Sequence, residues 1–187
     1  MRITDVLFAL TMTGLAACNS QTTRVARDGQ PVTQSEGTVA EKARPALGQV
    51  GSRLPQFSLK TLDGLQVSSA DLIGKVALVD YWATWCAPCK KEMPGYQKLA
   101  DRYGGRGFVV VGLKFDAMAD TIDPLKFAKA AGIHYPLAVP PEELNEKFGG
   151  IEGIPTTMIY DRAGILRKKI IGFEYTQVVE AAVKALL

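Results

Sequence analysis

Apolar residues along this chain fall into separated blocks, and the spacing of the blocks predicts its elements. Residues 6–17 form the first block, a nearly unbroken apolar run. At about 12 residues it is too short to cross a bilayer as a helix, which takes about 20. It fits the apolar stretch of a secretory signal. From about residue 19 to residue 48 no apolar period is sustained, and Gln, Thr, Ser, Arg, Glu, Gly and Pro dominate. That stretch reads as a disordered tether. Periodicity begins near Val50. Residues 51–59 lead to residues 62–67, a small hairpin around Asp63-Gly64. Residues 76–81 are a short apolar run, as expected of a strand covered on both faces. A helix is predicted after Cys86 to about Tyr103, kinked at Pro94 and stopped by Gly104-Gly105. Residues 108–115 form a second core strand. Asp123-Pro124 opens a helix that Gly132 closes, and residues 135–139 form a short strand. Pro141-Glu142-Glu143 opens a further helix ending at Gly149-Gly150. Residues 157–160 and 165–171 flank the turn at 161–164 as an antiparallel hairpin. Residues 176–187 close the chain as a helix with Thr176 as its N-cap. The order predicts an α/β fold with a central sheet of mixed direction flanked by helices.

Composition narrows the class without naming it. Among 187 residues, 47% are hydrophobic and 22% charged, which is ordinary for a globular protein and enough for one core. The net charge of +3 is small and spread along the chain, so nothing points to nucleic acid. The pair Lys90-Lys91 reads mainly as a solvated helix face, with a smaller contribution to any nearby thiolate.

Three cysteines carry the chemistry. Cys18 closes the run Leu15-Ala16-Ala17-Cys18, which resembles the bacterial lipobox, whose cysteine is lipidated and becomes the first mature residue. Arg2 supplies a weak positive start, partly cancelled by Asp5. The expected division is a signal peptide over 1–17, a lipid-anchored flexible linker over 18–47 and a folded domain over 48–187. Asn19 after the lipid cysteine leans toward the outer membrane. Cys86 and Cys89 remain as a pair where an apolar strand turns into a helix. Unpaired N–H groups and the positive end of the helix dipole favour a thiolate there. Cys86 is therefore expected to be the exposed nucleophile, with Cys89 one turn on and within reach. Pro88 suits the first turn because its missing N–H has no partner to lose. Structural zinc takes about four ligands, and beyond the pair only the distant His134 stands by, which reads as a surface or strand-edge residue. A purely structural disulfide closing so short a loop adds little. Redox chemistry is the reading that remains.

The run Trp82-Ala83-Thr84-Trp85-Cys86-Ala87-Pro88-Cys89, followed by Glu92-Met93-Pro94, resembles the TlpA/ResA-type thiol-disulfide oxidoreductases, membrane-tethered members of the thioredoxin superfamily. The resemblance continues at 51–57, 62–64, 74–75, 153–157 and 161–164, and covers about 140 residues. It implies a thioredoxin-like fold with an N-terminal hairpin and a helix-strand insertion around 123–139. It implies a cis-proline at Pro155 facing the cysteines, with Ile154 offering backbone hydrogen bonds to a partner, and Trp85, Ala87 and Pro88 beside it. It implies reduction of client proteins such as apocytochrome c or copper-site assembly factors, with electrons from a membrane thiol donor and no bound cofactor or metal. Two acids are candidates to serve Cys89. Asp80 lies six residues before Cys86, at the spacing of the buried acid of thioredoxin. Glu92 lies three residues after Cys89, as in ResA-like proteins. Asp80 is expected to be the main base. Two other functions compete. A peroxiredoxin-like peroxidase would carry Pro-x-x-x-Thr-x-x-Cys, but Val79 and Ala83 occupy those places. A Cu(I)-binding module would use two soft thiolates, but no spaced histidine accompanies them.

Overall fold

The fold is built outward from one strand. A computed structural model describes residues 45–115 and 122–187. The expected signal peptide, Cys18 and nearly all of the linker lie outside the described residues. Strand β3 (Val76–Trp82) is buried at all seven positions. Its neighbour β4 (Phe108–Lys114) is parallel to it, and the two-residue β5 (Leu137–Ala138) is parallel to β4. On the other side β6 (Thr156–Tyr160) runs antiparallel to β3, and β7 (Leu166–Ile171) antiparallel to β6. The sheet order is β5-β4-β3-β6-β7. The hairpin β1 (Ser58–Lys60) and β2 (Gln66–Ser68) forms a separate two-stranded sheet. This is the mixed, helix-flanked, thioredoxin-like architecture that the chain's pattern and resemblance imply.

Side chains alternate across β3 and so feed two cores. Val76, Leu78 and Trp82 face a layer containing Met93, Tyr96 and Leu99 of α2 (Ala87–Tyr103) and Val179 and Val183 of α5 (Thr176–Lys184). Ala77, Val79 and Tyr81 face Leu54, Val67, Leu144 and Phe148, with Phe148 edge-on to Tyr81 at 5.8 Å. Leu144 belongs to α4 (Glu142–Lys147) and Phe148 caps it. The insertion contributes α3 (Pro124–Ala130), capped by Asp123, whose side chain accepts from the Lys126 N–H, and β5. The segment before β1 ties down the β7 edge: Gly51 N–H donates to Leu166 O, and Leu166 N–H to Ser52 O. The start of an otherwise open sheet edge is thereby paired.

Helix α2 itself ends at Tyr103 with Gly104 as its C-cap, as Gly104-Gly105 predicts. A separate 3-10 turn over Gly104–Arg106 follows, and the chain leaves at Gly107, φ 83°, a left-handed conformation that glycine adopts without strain. Two details differ from the sequence pattern. Thr176 is the first residue of α5 rather than its N-cap, which is Tyr175. A short helix α1 (Ser69–Leu72) had no apolar period to reveal it. Asp71 accepts from both the Ser68 N–H and hydroxyl and closes its first turn. Pro94 lies inside α2, which runs through it as one helix.

Helix α5 crosses α2 at Gly95. A Cβ added there would meet the Thr176 hydroxyl and lie 3.1 Å from both Thr176 Cβ and Cγ2. Overpacking of this kind destabilises by about 1–3 kcal/mol, against roughly 1 kcal/mol gained in helix propensity. Gly95→Ala is expected to lower stability in urea denaturation, and to raise it when combined with Thr176→Gly. A stabilising single variant would show that the two helices do not meet here.

Candidate active site

Strand β3 ends at Trp82, and the loop through Trp85 delivers Cys86 to the start of α2. Cys86 is the N-cap, and its sulfur accepts the Cys89 N–H at 3.2 Å. One orphan amide of the first turn is thus satisfied by the reacting atom. Cys86 and Cys89 form a disulfide with their Cα atoms 5.3 Å apart. Cys86 keeps 4% exposure and Cys89 none. The order is that expected from the sequence, with Cys86 the outer sulfur. Ala87 and Pro88 are exposed, Lys90 is half-buried and Lys91 exposed, and Trp85 is 40% exposed.

The antiparallel register sets Thr156 opposite Tyr81 and Thr157 opposite Asp80. One step further along, Pro155 comes beside Trp82, at the root of the loop that carries Cys86. The Ile154–Pro155 peptide is cis. Pro155 is buried and its carbonyl accepts the Gly172 N–H at 2.8 Å. Ile154 is half-buried, and no hydrogen bond of its backbone is found among the described residues. Gly172 also brings the loop before α5 to the site, with Phe173 and Tyr175 both exposed and their rings edge to face at 5.3 Å.

Asp80 is fully buried, so the alternative of a solvated strand end fails. It shares the β3 face of Leu78 and Trp82, beneath α2. Thr157 Oγ1 donates to its Oδ1 at 3.4 Å, while Oδ2 has no partner. Burial pushes Asp80 up to about 7, opposed weakly by the Thr157 hydrogen bond. Glu92 is 1% exposed and makes no surface salt bridge. Neither of its oxygens meets hydrogen-bond geometry. Burial first, then the Asp80 charge, pushes Glu92 up to about 9; the Glu174 backbone and the Tyr96 hydroxyl lie near enough to favour its anion weakly. Two carboxyls in one dry site cannot both ionise easily, so they titrate as a pair. The sequence pointed to both acids but not to their coupling. It also missed Tyr96, Thr157 and Tyr135, whose hydroxyls complete the buried polar cluster. The signal available was spacing: Tyr96 lies four residues after Glu92, on the same helix face.

His134 is exposed, as expected. Among the described residues no group of three or more His, Cys, Asp or Glu side chains could hold a metal, and no helix is long and apolar enough to cross a membrane.

An acid whose folded pKa is raised binds its proton more tightly folded than unfolded. Stability is therefore complete below about pH 4, where unfolded carboxyls hold their protons. It falls as pH rises toward the folded values near 7 and 9. Glu92→Gln removes one such penalty. At pH 8 the variant is expected to be more stable than wild type by on the order of 1–3 kcal/mol, and at pH 4 nearly equal to it. Thermal unfolding at the two pH values checks this; equal effects at both would place Glu92 outside the coupled pair.

Comparison with known proteins converges on one chemistry. The AhpC/TSA family model matches residues 50–169. A thiol-disulfide oxidoreductase ResA of Bacillus cereus is 32% identical over 143 residues, covering 75% of this chain and 78% of the relative. A thiol:disulfide interchange protein DsbE of Pseudomonas fluorescens biotype C is 35% identical over 125 residues, covering 66% of this chain and 67% of the relative. The crystal structure of a thiol:disulfide interchange protein of the thioredoxin family from Chlorobium tepidum TLS superposes with a TM-score of 0.66 at 34% identity, over 72% of this chain and 94% of that one. With the family match spanning well over half of the sequence, and a Cys86–Cys89 disulfide at the start of α2, the chain belongs to the AhpC/TSA family as a thiol-disulfide oxidoreductase of the ResA/DsbE type.

Proposed function

We propose that this oxidoreductase works outside the cytoplasm, tethered by lipid on Cys18, and reduces disulfides of specific client proteins such as apocytochrome c or copper-site assembly factors. The observation that carries this reading is the asymmetry of the cysteine pair. One sulfur caps a helix start and keeps a little exposure; the other is fully buried one turn on, in the helix that also carries the buried Glu92. In the reduced protein Cys86 thiolate attacks a client disulfide, and the leaving client sulfur takes a proton from solvent. Asp80 then accepts the Cys89 proton, and Cys89 thiolate attacks the Cys86 sulfur. The client's second thiolate departs, leaving the Cys86–Cys89 disulfide. A membrane thiol-disulfide donor restores the dithiol, so no bound cofactor is invoked.

The surroundings support reduction rather than oxidation. A strongly oxidising pair depends on a stabilised reduced form. Here the helix start and, more weakly, Lys90 and Lys91 favour a thiolate on the outer cysteine, and the buried acids oppose negative charge on the inner one. The exposed Trp85, Ala87 and Pro88, with the free backbone of Ile154 beside Pro155, offer a partner one apolar lip and one strand-like hydrogen-bonding site. The envelope location rests on the apolar run 6–17 and on the lipobox ending at Cys18. Residues 18–47 are proposed as the tether and 48–187 as the folded domain.

Cys86→Ser is expected to abolish disulfide exchange, and Cys89→Ser to accumulate mixed disulfides on Cys86 in cells. Mass spectrometry of those adducts names the clients. Faster alkylation of Cys89 than of Cys86 in the reduced protein would reverse the assigned roles. Cys18→Ser is expected to leave the signal uncleaved by the lipoprotein pathway and to remove the lipid anchor, read by mass spectrometry of the chain's N-terminus. A wild-type protein found soluble with Cys18 unmodified would end the lipoprotein reading.

A further inference from the structure

Two hydroxyls lie between the buried acids. Tyr96 Oη is 2.9 Å from Thr157 Oγ1, and Thr157 Oγ1 donates to Asp80 Oδ1 at 3.4 Å. A hydroxyl has one proton. With that of Thr157 directed at Asp80, Tyr96 must be the donor to Thr157. The lone pairs of Tyr96 are then free toward its own helix, where Glu92 sits one turn earlier. In the disulfide form the observed bonds run from Tyr96 through Thr157 to Asp80, and Glu92 lies one turn before Tyr96 on the same helix with neither oxygen hydrogen-bonded.

We infer that Tyr96 and Thr157 form a proton relay between Glu92 and Asp80, so that the two acids serve Cys89 as a single base. The inference rests on the reading of Asp80 as the base for Cys89. Three elements build the chain: β3 supplies Asp80, α2 supplies Glu92 and Tyr96, and β6 supplies Thr157 through the register that pairs it with Asp80. All four residues are buried, which excludes bulk water as the ordinary carrier between the acids.

The resident proton lies on Glu92, leaving Asp80 empty beneath Cys89. Cys89 S–H gives its proton to Asp80, and the sulfur forms its bond to Cys86 Sγ. The bond from Cys86 to the client sulfur breaks, and its electron pair leaves with the client. The acids now hold two protons. When Glu92 releases one to solvent, both hydroxyls must first turn: protonated Asp80 becomes the donor to Thr157, Thr157 to Tyr96 and Tyr96 to Glu92, and one proton then shifts along each of these bonds. Each hydroxyl accepts one proton and gives one, and Asp80 is empty again.

Other ionisable groups face the same space. Tyr135, from the segment before β5, is buried with its hydroxyl unpartnered, and burial followed by the Asp80 charge holds it neutral. Tyr96 is held neutral for the same reasons in the same order. Lys114, at the end of β4, pairs in register with Trp82 on the Asp80 face of the sheet, and is itself partnered.

Stopped-flow mixing of the reduced protein with a fluorescent peptide disulfide separates formation of the mixed disulfide from its resolution, and both are followed from pH 5 to pH 10. Tyr96→Phe and Thr157→Val are each expected to slow resolution about tenfold, part of the roughly 10²–10⁴-fold that a positioned base supplies. Formation of the mixed disulfide stays unchanged. Thr157→Ser, which keeps the hydroxyl, restores both rate and pH profile. In a double-mutant cycle Glu92→Gln slows resolution in wild type but adds nothing in Tyr96→Phe. If Glu92→Gln keeps its full effect in Tyr96→Phe, the acids act through their field alone and the relay is wrong. Should Tyr96→Phe fail to fold, the Thr157 Val and Ser variants decide the matter: equal rates in both overturn the relay. Asp80→Asn separates the two levels. Unchanged resolution in Asp80→Asn removes both the base and the relay; slowed resolution there, with Tyr96→Phe and Thr157→Val unaffected, removes the relay and keeps the base.

Discussion

A carboxyl group in the middle of a strand buried on both faces is the constraint on which this site depends. An isolated carboxylate in such a place is strongly disfavoured unless it is neutralised or hydrogen-bonded. Asp80 has one long hydrogen bond from Thr157 and an unpaired second oxygen. Its proton affinity is therefore set by the core rather than by water. The same buried layer takes in Glu92 from α2, and each acid then makes the other harder to ionise. Tyr96, Thr157 and Tyr135 are drawn into the cluster because they carry the hydroxyls that the surrounding apolar layer lacks. Protons beneath the cysteines are in this way coupled to packing of the whole sheet against α2.

Above that layer the helix start works in the opposite sense. Cys86 caps α2 and receives the Cys89 amide at its sulfur. Positive partial charge at the cap favours a thiolate on the outer cysteine, while negative charge below disfavours one on the inner cysteine. Two chemically identical residues three positions apart thus acquire different roles. Attack is assigned to the sulfur that partners can reach, and resolution to the one that needs a base. The arrangement resembles other enzymes in which environments push paired groups apart.

The remaining architecture holds these layers in register. The antiparallel pairing of β6 with β3 is what sets Thr157 opposite Asp80 and Pro155 beside the root of the Cys86 loop. The Gly172 amide ties the loop before α5 to the Pro155 carbonyl, so the last helix and the partner-facing surface share one anchor. The residues before β1 pair with the start of the β7 edge, and the rest of that strand carries Arg167, Lys168 and Lys169, charges that discourage pairing with another chain.

Much of this was legible before any coordinates. The continuous apolar run of β3, the proline and glycine punctuation of α3 and α4, and the Asp63-Gly64 turn are local signals, and they gave the correct order of elements. The Cys-x-x-Cys pair at a strand-helix junction pointed to redox chemistry because both the junction and the spacing are local. Local signals failed where geometry depends on neighbours. Thr176 served as a first helical residue, since Tyr175 already held the extended cap conformation. Asp80 and Glu92 were readable as candidates only by their distance along the chain from the cysteines. Their burial, their mutual repulsion and the hydroxyls that join them come from residues as far apart as Asp80 and Thr157. The sequence by itself determined which residues could react and which elements would carry them. Only the tertiary structure decided their proton affinities, because desolvation and charge coupling depend on what packs together in space rather than on what is adjacent in the chain.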